Sequence, residues 1–426
     1  MLKIFLYAIT ILIIPTQIYA FDVFKKGQHS LEFHGYLRHT SGISNGGKTP
    51  ARFQLPGARA RNRLGNEPDS NIELEFDYKY QLQNTDNHNT NIEAVVMLAG
   101  FENRGDGQAF ELDDISQAYL KLNNLFNNGV DMWVGRRYYQ RKAIHILNHF
   151  WLNPGQNSHI GVGVEKISLG AGKLDVAFFK NKNRFSLNSN SHKIDSFVVD
   201  ARWHDLSIAN NTTLTAWGQI AQRNALSELD YNKENGFALG GWVDYKSGKI
   251  TNTTALLYQN SAAITQSGFT PFAVREDQGW NLDNANVFEI NNALTYEATP
   301  HYSFQWSLVY RQEDRGTIGS SKVTWYNTGI RPVFYLNKHI SLIFDTGIDY
   351  VKDEVNNRSG SLRKFTTAIQ LSPNRRFISR PLVRVYATAA AWSDDFRGIV
   401  GTIPGDAPFG DNTSGKTVGI HIESTW

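Results

Sequence analysis

The sequence contains no cysteine, which excludes disulfide bonds, thiolate metal sites and cysteine nucleophiles. An excess of one charge is also missing, because 43 lysine and arginine residues nearly balance 40 aspartate and glutamate residues and give a net charge of +3. No block of like charge occurs, so we expect no nucleic-acid partner. The protein must therefore be stabilised by backbone hydrogen bonds and packing.

Long apolar runs are lacking too, apart from one at the N-terminus. Residues 4–15 are uncharged and follow Lys3, but a membrane-spanning helix needs roughly 18 to 20 apolar residues, so this run is too short. A polar break and the small residue Ala20 come next, as at a secretory cleavage site. The sequence therefore predicts a cleaved signal peptide over residues 1–20 and a mature chain that begins at Phe21.

The rest of the chain alternates between apolar and polar residues in segments of about ten, which is typical of transmembrane β-strands. One such segment carries on its apolar face Tyr302, Phe304, Trp306, Leu308 and Tyr310. Its other face carries Ser303, Gln305, Ser307 and Arg311. A soluble β-sandwich would alternate as well, but the signal peptide, the aromatic content and the number of strands favour a barrel. No linker divides residues 21–426, which we interpret as one closed unit in the outer membrane.

Counting these segments predicts an all-β, antiparallel transmembrane barrel of about 18 strands. The strands are expected near residues 31–40, 71–81, 91–100, 115–122, 131–139, 159–167, 173–181, 195–204, 211–221, 236–246, 249–259, 286–297, 301–312, 323–335, 339–351, 362–372, 379–392 and 415–426. Short turns are expected to face the periplasm. The outward-facing connections are expected to be the longer segments 41–70, 140–158, 260–285 and 393–414.

Five short blocks resemble, in their order and spacing, the maltoporins and related carbohydrate porins. They read FHGYLR (33–38), RLGNE (63–67), WVGRRYYQR (133–141), GIRP (329–332) and SRP (379–381). The resemblance implies a trimeric barrel of about 18 strands in which a loop, here near 140–158, folds inward to narrow the pore. It also implies that aromatic residues flanked by charged ones guide sugars through that pore.

The resemblance carries over to individual positions. Tyr36 falls on an aromatic position of the sugar path, and a gapless alignment places Phe150, with Trp151 beside it, on the aromatic of the constriction. The polar positions of the path correspond to Arg38, Arg63, Glu73 and Arg141. These residue types suit sugars, because the C–H face of a sugar ring stacks on aromatic rings while its hydroxyl groups exchange hydrogen bonds with charged side chains.

Several positions depart from the family's pattern. Thr425 and Asn71 stand where the family has aromatic residues, Ile378 occupies a third such position, and the segment 148–153 lacks the family's acidic residues. We therefore expect a sugar channel with altered or broader specificity. A general diffusion porin for small hydrophilic solutes is the alternative.

Enzyme motifs are weak. Ser44 lies in a nucleophile-elbow pattern, but this pattern falls in a predicted outward loop and lacks the strand-to-helix context of that motif. His145 and His149 have no nearby pair of carboxylates in the sequence and do not predict a metal site. We expect no enzymatic activity, no metal and no cofactor. The expected partners are sugars, the lipid of the outer membrane and two further copies of the chain in a homotrimer.

Overall fold

The computed structural model describes residues 21–47, 50–82, 90–103, 112–125, 128–155, 158–187, 190–265, 279–298, 300–401 and 409–426. The predicted signal peptide lies outside these ranges, as do parts of the predicted outward segments 260–285 and 393–414. Within the described ranges, none of the helices has the length or hydrophobicity needed to cross a membrane. The helices are single 3-10 turns at Asn45–Gly47, His145–Leu147, Ser227–Leu229, Ser261–Ala263, Leu282–Asn284 and Asp394–Phe396.

The strands follow one another along the chain as antiparallel neighbours. In chain order they are β1 Phe21–Lys26, β2 His29–Ser44, β3 Asp69–Gln81, β4 Asn91–Asn103, β5 Leu112–Leu125, β6 Val130–Arg136, β7 Lys142–Ile144, β8 His149–Leu152, β9 Ser158–Leu169, β10 Gly172–Leu187, β11 Asn190–Ala209, β12 Thr212–Arg223, β13 Glu234–Ser247, β14 Ile250–Asn260, β15 Asn286–Ala298, β16 Tyr302–Asp314, β17 Lys322–Tyr335, β18 Ile340–Asp353, β19 Arg358–Leu371, β20 Leu382–Trp392 and β21 Ser414–Thr425. Strands β7 and β8 form a separate hairpin.

The other 19 strands belong to one sheet, in which β1 pairs only with β2. The remaining 18 close into a barrel, because β2 pairs with β3 on one side and with β21 on the other. Each corresponds to one of the segments predicted from the alternation, so the predicted barrel of about 18 strands is confirmed. Strand β1 is additional, and lies along the part of β2 that β21 does not reach.

The closure of the barrel brings Trp426 against the outer face of β2. Its backbone N–H and C=O both bond to Gly35, at 3.1 and 2.9 Å, and its ring lies 5.9 Å from that of Phe33. A Cβ on Gly35 would meet the indole at 2.2 Å, so only glycine fits beneath this ring. The terminal tryptophan is therefore packed on the lipid side of the seam, while its neighbour Thr425 faces inward.

The two faces of the wall differ as the alternation predicts. On β16 the outward residues Tyr302 and Leu308 are exposed, whereas the inward residues Ser303, Gln305 and Arg311 are buried. Apolar side chains on the outside suit the hydrocarbon of a membrane. The inward polar residues are buried because other parts of the chain fill this side of the barrel.

Two segments fold into the barrel. Inner loop 1 (residues 50–68) joins β2 to β3, and inner loop 2 (residues 140–155) joins β6 to β9 and contains the β7–β8 hairpin. Many side chains of inner loop 1 are buried, among them Phe53, Leu55 and Leu64. The prediction that residues 41–70 form an outward loop is thus wrong for its central part, because inward-facing polar groups of distant strands hold that part inside.

Candidate functional site

A pocket of about 580 Å³, here called the Tyr36 pocket, opens between β2–β4 and inner loop 2. Its lining consists of Tyr36, Arg38, Arg63, Asn71, Glu73, Phe101, Arg141, Ala143, Ile144, His145, Asn148, Phe150, Arg380 and Thr425. Aromatic, cationic, acidic and amide side chains are therefore gathered around one space inside the barrel.

Inner loop 2 is seated on the inner face of β15 and β16. The N–H of Ile146 donates to Gln305 Oε1 at 3.1 Å, and His149 Nε2 lies 2.7 Å from Glu289 Oε1. The 3-10 turn ends at Asn148, whose φ of 52° is left-handed, a conformation that asparagine tolerates better than most residues. The turn therefore buries Ile146 against the wall and directs Asn148 into the pocket.

Inner loop 1 is held by the inner faces of β18 and β19. Lys364 Nζ donates to the Leu64 carbonyl and to Asp345 Oδ1, both at 2.8 Å or less. The N–H of Arg63 donates to the Ile146 carbonyl at 2.8 Å, which ties inner loop 1 to inner loop 2. The two inner loops are thus connected to each other, and residues of both line the pocket.

The ring of Tyr36 is oriented by a charged cluster behind it. The Tyr36 hydroxyl donates to Glu423 Oε1 at 2.9 Å and accepts from Arg63 Nη2 at 3.1 Å. Arg63 and Arg380 also donate to Glu423, at 2.8 and 2.5 Å. Because the hydroxyl is fixed at one end, the ring is held in place where it lines the pocket.

A second set of ion pairs fixes the guanidinium groups near the wall. Arg38 donates to Glu67 at 2.8 Å and to Asp69 at 2.6 Å, and Arg63 Nε donates to Glu67 at 2.6 Å. Burial alone would raise the pKa of Glu67, but Arg38 and Arg63 lower that pKa to about 2. The Glu67 carboxylate stays charged and keeps its ion pair with Arg38. The guanidinium group of Arg38 is therefore engaged by Glu67 and Asp69, and it contributes mainly to the shape of the pocket.

His145 lies at the junction of the two inner loops. Its Nδ1 is 3.2 Å from Arg63 Nη1, and its ring packs edge-on against Phe377 at 6.2 Å. Burial and the positive charges of Arg63 and Arg331 hold the pKa of His145 well below its ordinary value. The imidazole is therefore neutral near pH 7 and accepts the hydrogen bond from Arg63.

Arg141 differs from the other arginines of the pocket. It is exposed, and its guanidinium carbon lies 4.6 Å from the ring centre of Tyr138 and 5.7 Å from that of Phe150. Stacking of this kind orients a guanidinium group while leaving its N–H groups available. Arg380 is placed similarly, 5.4 Å from the ring of Tyr36, but it is bonded to Glu423.

Six of the seven residues named from the sequence line this single pocket: Tyr36, Arg38, Arg63, Glu73, Arg141 and Phe150. Trp151 does not, since successive residues of β8 point to opposite sides. Its side chain is only 3% exposed and packs edge-on against Trp242 at 5.5 Å. Trp151 supports inner loop 2 against the wall and has no surface for a solute.

Phe101 is a pocket residue that sequence reasoning missed. It is 50% exposed and lies directly opposite Asn71 on the neighbouring strand. An aromatic ring is therefore present one strand away from the position where Asn71 lacks one. The alternation of β4 could have revealed it, because Phe101 falls on the same inward face as Val95 and Met97.

One group of side chains has the composition of a metal site. Donor atoms of Glu32, His34 and Asp77 lie within 4.8 Å of one another on the inner face of β2 and β3. Lys79 Nζ is 2.9 Å from Glu32 and 3.1 Å from Asp77, so an ammonium group already balances these carboxylates. The group lies beside the Tyr36 pocket on the same strands, and none of its members lines that pocket.

Comparison with known proteins gives one family and several similar folds. The model of the LamB porin family matches residues 31–426. The outer membrane channel DcaP of Acinetobacter baumannii is 11% identical, with a TM-score of 0.50 over 95% of this chain and 100% of that one. An anion-selective porin from Comamonas acidovorans and Pseudomonas aeruginosa OpdK, solved with vanillate, are each 10% identical over 93% of this chain and 99% of theirs, with TM-scores of 0.45 and 0.46.

Proposed function

The chain belongs to the LamB porin family, and from that premise we propose that this outer-membrane porin conducts sugars or oligosaccharides by facilitated diffusion. The observation that carries the proposal is the Tyr36 pocket, where the rings of Tyr36, Phe101 and Phe150 surround one space together with Glu73 and Arg141. This combination offers a sugar both stacking surfaces and hydrogen-bond partners.

The arrangement favours weak binding, as permeation requires. A solute that binds too tightly does not leave a channel, so several modest sites conduct better than one strong site. Tyr36 and Phe101 lie on different strands and Phe150 lies on inner loop 2, so a sugar can pass from one ring to another. Thr425 and Ile378 offer no ring, which limits the length of chain that the pore can hold.

A general diffusion porin is the second candidate, and those missing rings are the observation that favours it. The two functions differ in what solutes do to the ion current. Sugar that binds in the pore blocks the current transiently, whereas a general porin responds only to the size of the solute.

The deciding experiment is a planar-bilayer recording with a panel of sugars and with neutral solutes of matched size, extended to millimolar concentrations and above. We expect sugars to block the current and the matched solutes to leave it unchanged. Equal behaviour of sugars and matched solutes, in the recording and in liposome swelling, would leave the general porin as the function.

Export and assembly complete the proposal. We propose that residues 1–20 are removed during export, and the mass of the purified mature chain tests this directly. We also propose a homotrimer in the membrane, which chemical cross-linking in native membranes tests. A mature chain that retains residues 1–20, or a cross-linked ladder that ends at the monomer, contradicts the respective part.

A further inference from the structure

We propose that the preferred solutes of the Tyr36 pocket are acidic sugars, in which a carboxylate on the sugar ring binds the guanidinium group of Arg141. The inference rests on the proposed sugar-channel function and adds the chemical class of the sugar. It follows from the distribution of charge in the pocket, from the state of Arg141 and from the absence of acidic groups on inner loop 2.

Four arginines line the pocket, but only one carboxylate does. Arg38, Arg63 and Arg380 are bonded to acidic residues behind the lining, as described above, whereas Glu73 lines the pocket itself. In the described part of the chain, Arg141 forms no ion pair within 4.0 Å, although its side chain is exposed to the pocket. Its positive charge acts on Glu73 without an ion pair, and its N–H groups are available to a solute.

The guanidinium group of Arg141 is also oriented. Contacts with the rings of Tyr138 and Phe150, at 4.6 and 5.7 Å, restrict the motion of the group and reduce the entropy lost when a ligand binds. Arginine binds a carboxylate through two parallel N–H groups, a geometry that neutral hydroxyl groups do not match. Since Phe150 is also a stacking surface, a uronate ring can lie against that ring while its carboxylate reaches Arg141.

Inner loop 2 carries no negative charge that would repel an anionic solute. The segment 148–153 reads NHFWLN and has no carboxylate, and His145 is neutral for the reasons given above. Glu73 is the acidic group on the pocket surface, and it is half-buried on β3. Its negative charge should weaken the binding of an acidic sugar, so removing Glu73 and removing Arg141 should have opposite effects.

The test compares a disaccharide of two uronic acids with the neutral disaccharide of the same linkage, measured as block of the ion current by the full barrel. In the unaltered protein we expect the uronate to block at about fivefold lower concentration, the scale of one charge-assisted contact at an exposed site. The difference should shrink at high salt, because exposed charges are screened.

Four variants make the test specific. Arg141→Gln should weaken block by the uronate more than block by the neutral sugar and so remove the preference. Arg141→Lys should retain part of the preference, because lysine keeps the charge but lacks the two parallel N–H donors of arginine. Glu73→Gln should strengthen block by the uronate. Arg376→Gln removes the same charge from an exposed turn outside the pocket and should leave the preference unchanged.

The outcomes separate this inference from the proposed function. Equal block by both sugars in the unaltered protein, or equal weakening of both by Arg141→Gln, would overturn the inference and leave the sugar channel standing. Block by neither sugar would overturn both. If Arg141→Gln does not assemble, Glu73→Gln tests the inference instead. A preference for the uronate that falls or stays the same in Glu73→Gln would contradict the binding of acidic sugars in this pocket.

Discussion

The inner wall of the barrel has two regions with the same alternating pattern of apolar and polar residues, and the inward polar residues are covered in one region and exposed to the pocket in the other. On the covered wall (β15–β20), Arg311 is buried between Glu289 and Glu313, and Arg331 pairs with Asp345 at 2.8 Å beneath the inner loops. On the open wall (β2–β4), charged and aromatic side chains such as Glu73 and Tyr36 are half-buried and face the pocket.

The difference shows that an inward charge takes its role from what covers it. A buried charge that loses its partner is costly, whereas a charge that faces water loses little when its neighbour changes. Substitutions on the covered wall should therefore lower the free energy of unfolding and leave sugar binding unchanged. Substitutions on the open wall should weaken sugar binding and leave the free energy of unfolding unchanged.

The largest effect is expected for Arg311→Met on the covered wall. The variant leaves Glu289 and Glu313 buried without this partner, which costs about 3 to 5 kcal/mol in comparable cases. Urea unfolding of the barrel in lipid vesicles measures the change in the free energy of unfolding. The matched variant Arg141→Met on the pocket surface should change that free energy by no more than about 0.5 kcal/mol. Equal losses in the two variants would contradict the contrast.

Lys364→Met should release inner loop 1. Lys364 donates hydrogen bonds to the Leu64 carbonyl, to Asp345 and to Thr366, and a hydrogen bond from a charged group contributes about 1.5 to 3 kcal/mol. We expect faster hydrogen exchange in residues 50–68. Lys352→Met, in which an exposed lysine is lost, serves as the control. Unchanged exchange in Lys364→Met would show that the other contacts of the loop are sufficient to hold it.

Removing rings from the open wall should weaken sugar block without unfolding the barrel. For Tyr36→Ala, Phe101→Ala and Phe150→Ala we expect a loss of roughly 0.5 to 1.5 kcal/mol each, as for other aromatic contacts. Tyr36→Phe keeps the ring but loses the hydrogen bond from the hydroxyl to Glu423. It therefore separates the contribution of sugar stacking on the ring from that of the hydrogen bond that orients the ring. Phe76→Ala removes a ring from the outer face of β3, and any effect on sugar block there would argue against the assignment.

Acidification should have the smallest effect on sugar binding. Between pH 8 and about pH 6.5, His145 stays neutral and Glu67 stays charged, because both folded-state pKa values lie below the ordinary values of 6.5 and 4.5. Current block by a neutral sugar should therefore be constant over this range. A change in block that disappears in His145→Gln would show that the imidazole titrates in the folded pore.

The same pKa values set the pH dependence of stability. Both groups bind protons more readily in the unfolded chain, so the stability they contribute is present at neutral pH and is lost on acidification. The loss should begin below about 6.5 for His145 and should run from about 4.5 to about 2 for Glu67. Urea unfolding at several pH values, compared between the unaltered protein and His145→Gln, measures the part due to His145, and a difference between the two proteins that stays constant below about pH 6.5 would contradict that assignment.

The sequence by itself determined the strands and much of the site. Alternation with a period of two is a local property, so the 18 barrel strands could be located within a few residues without knowledge of their partners. The ordered blocks named Tyr36, Arg63 and Arg141, the gapless alignment named Phe150, and all four line one pocket. Trp151 was named with them because the sequence predicted that its loop folds inward. The sequence did not show which side chains of that loop face the pore and which face the wall.

Only the tertiary structure decided the course of inner loop 1 and the contents of the pocket. Asn62 seats that loop against Gly329 and Gly347, where a Cβ on either glycine would lie within 2.3 Å of its side chain. The bond between Lys364 and the Leu64 carbonyl spans 300 residues of the chain. Such contacts leave no periodic mark in the sequence, since they depend on which strands face each other once the barrel has closed.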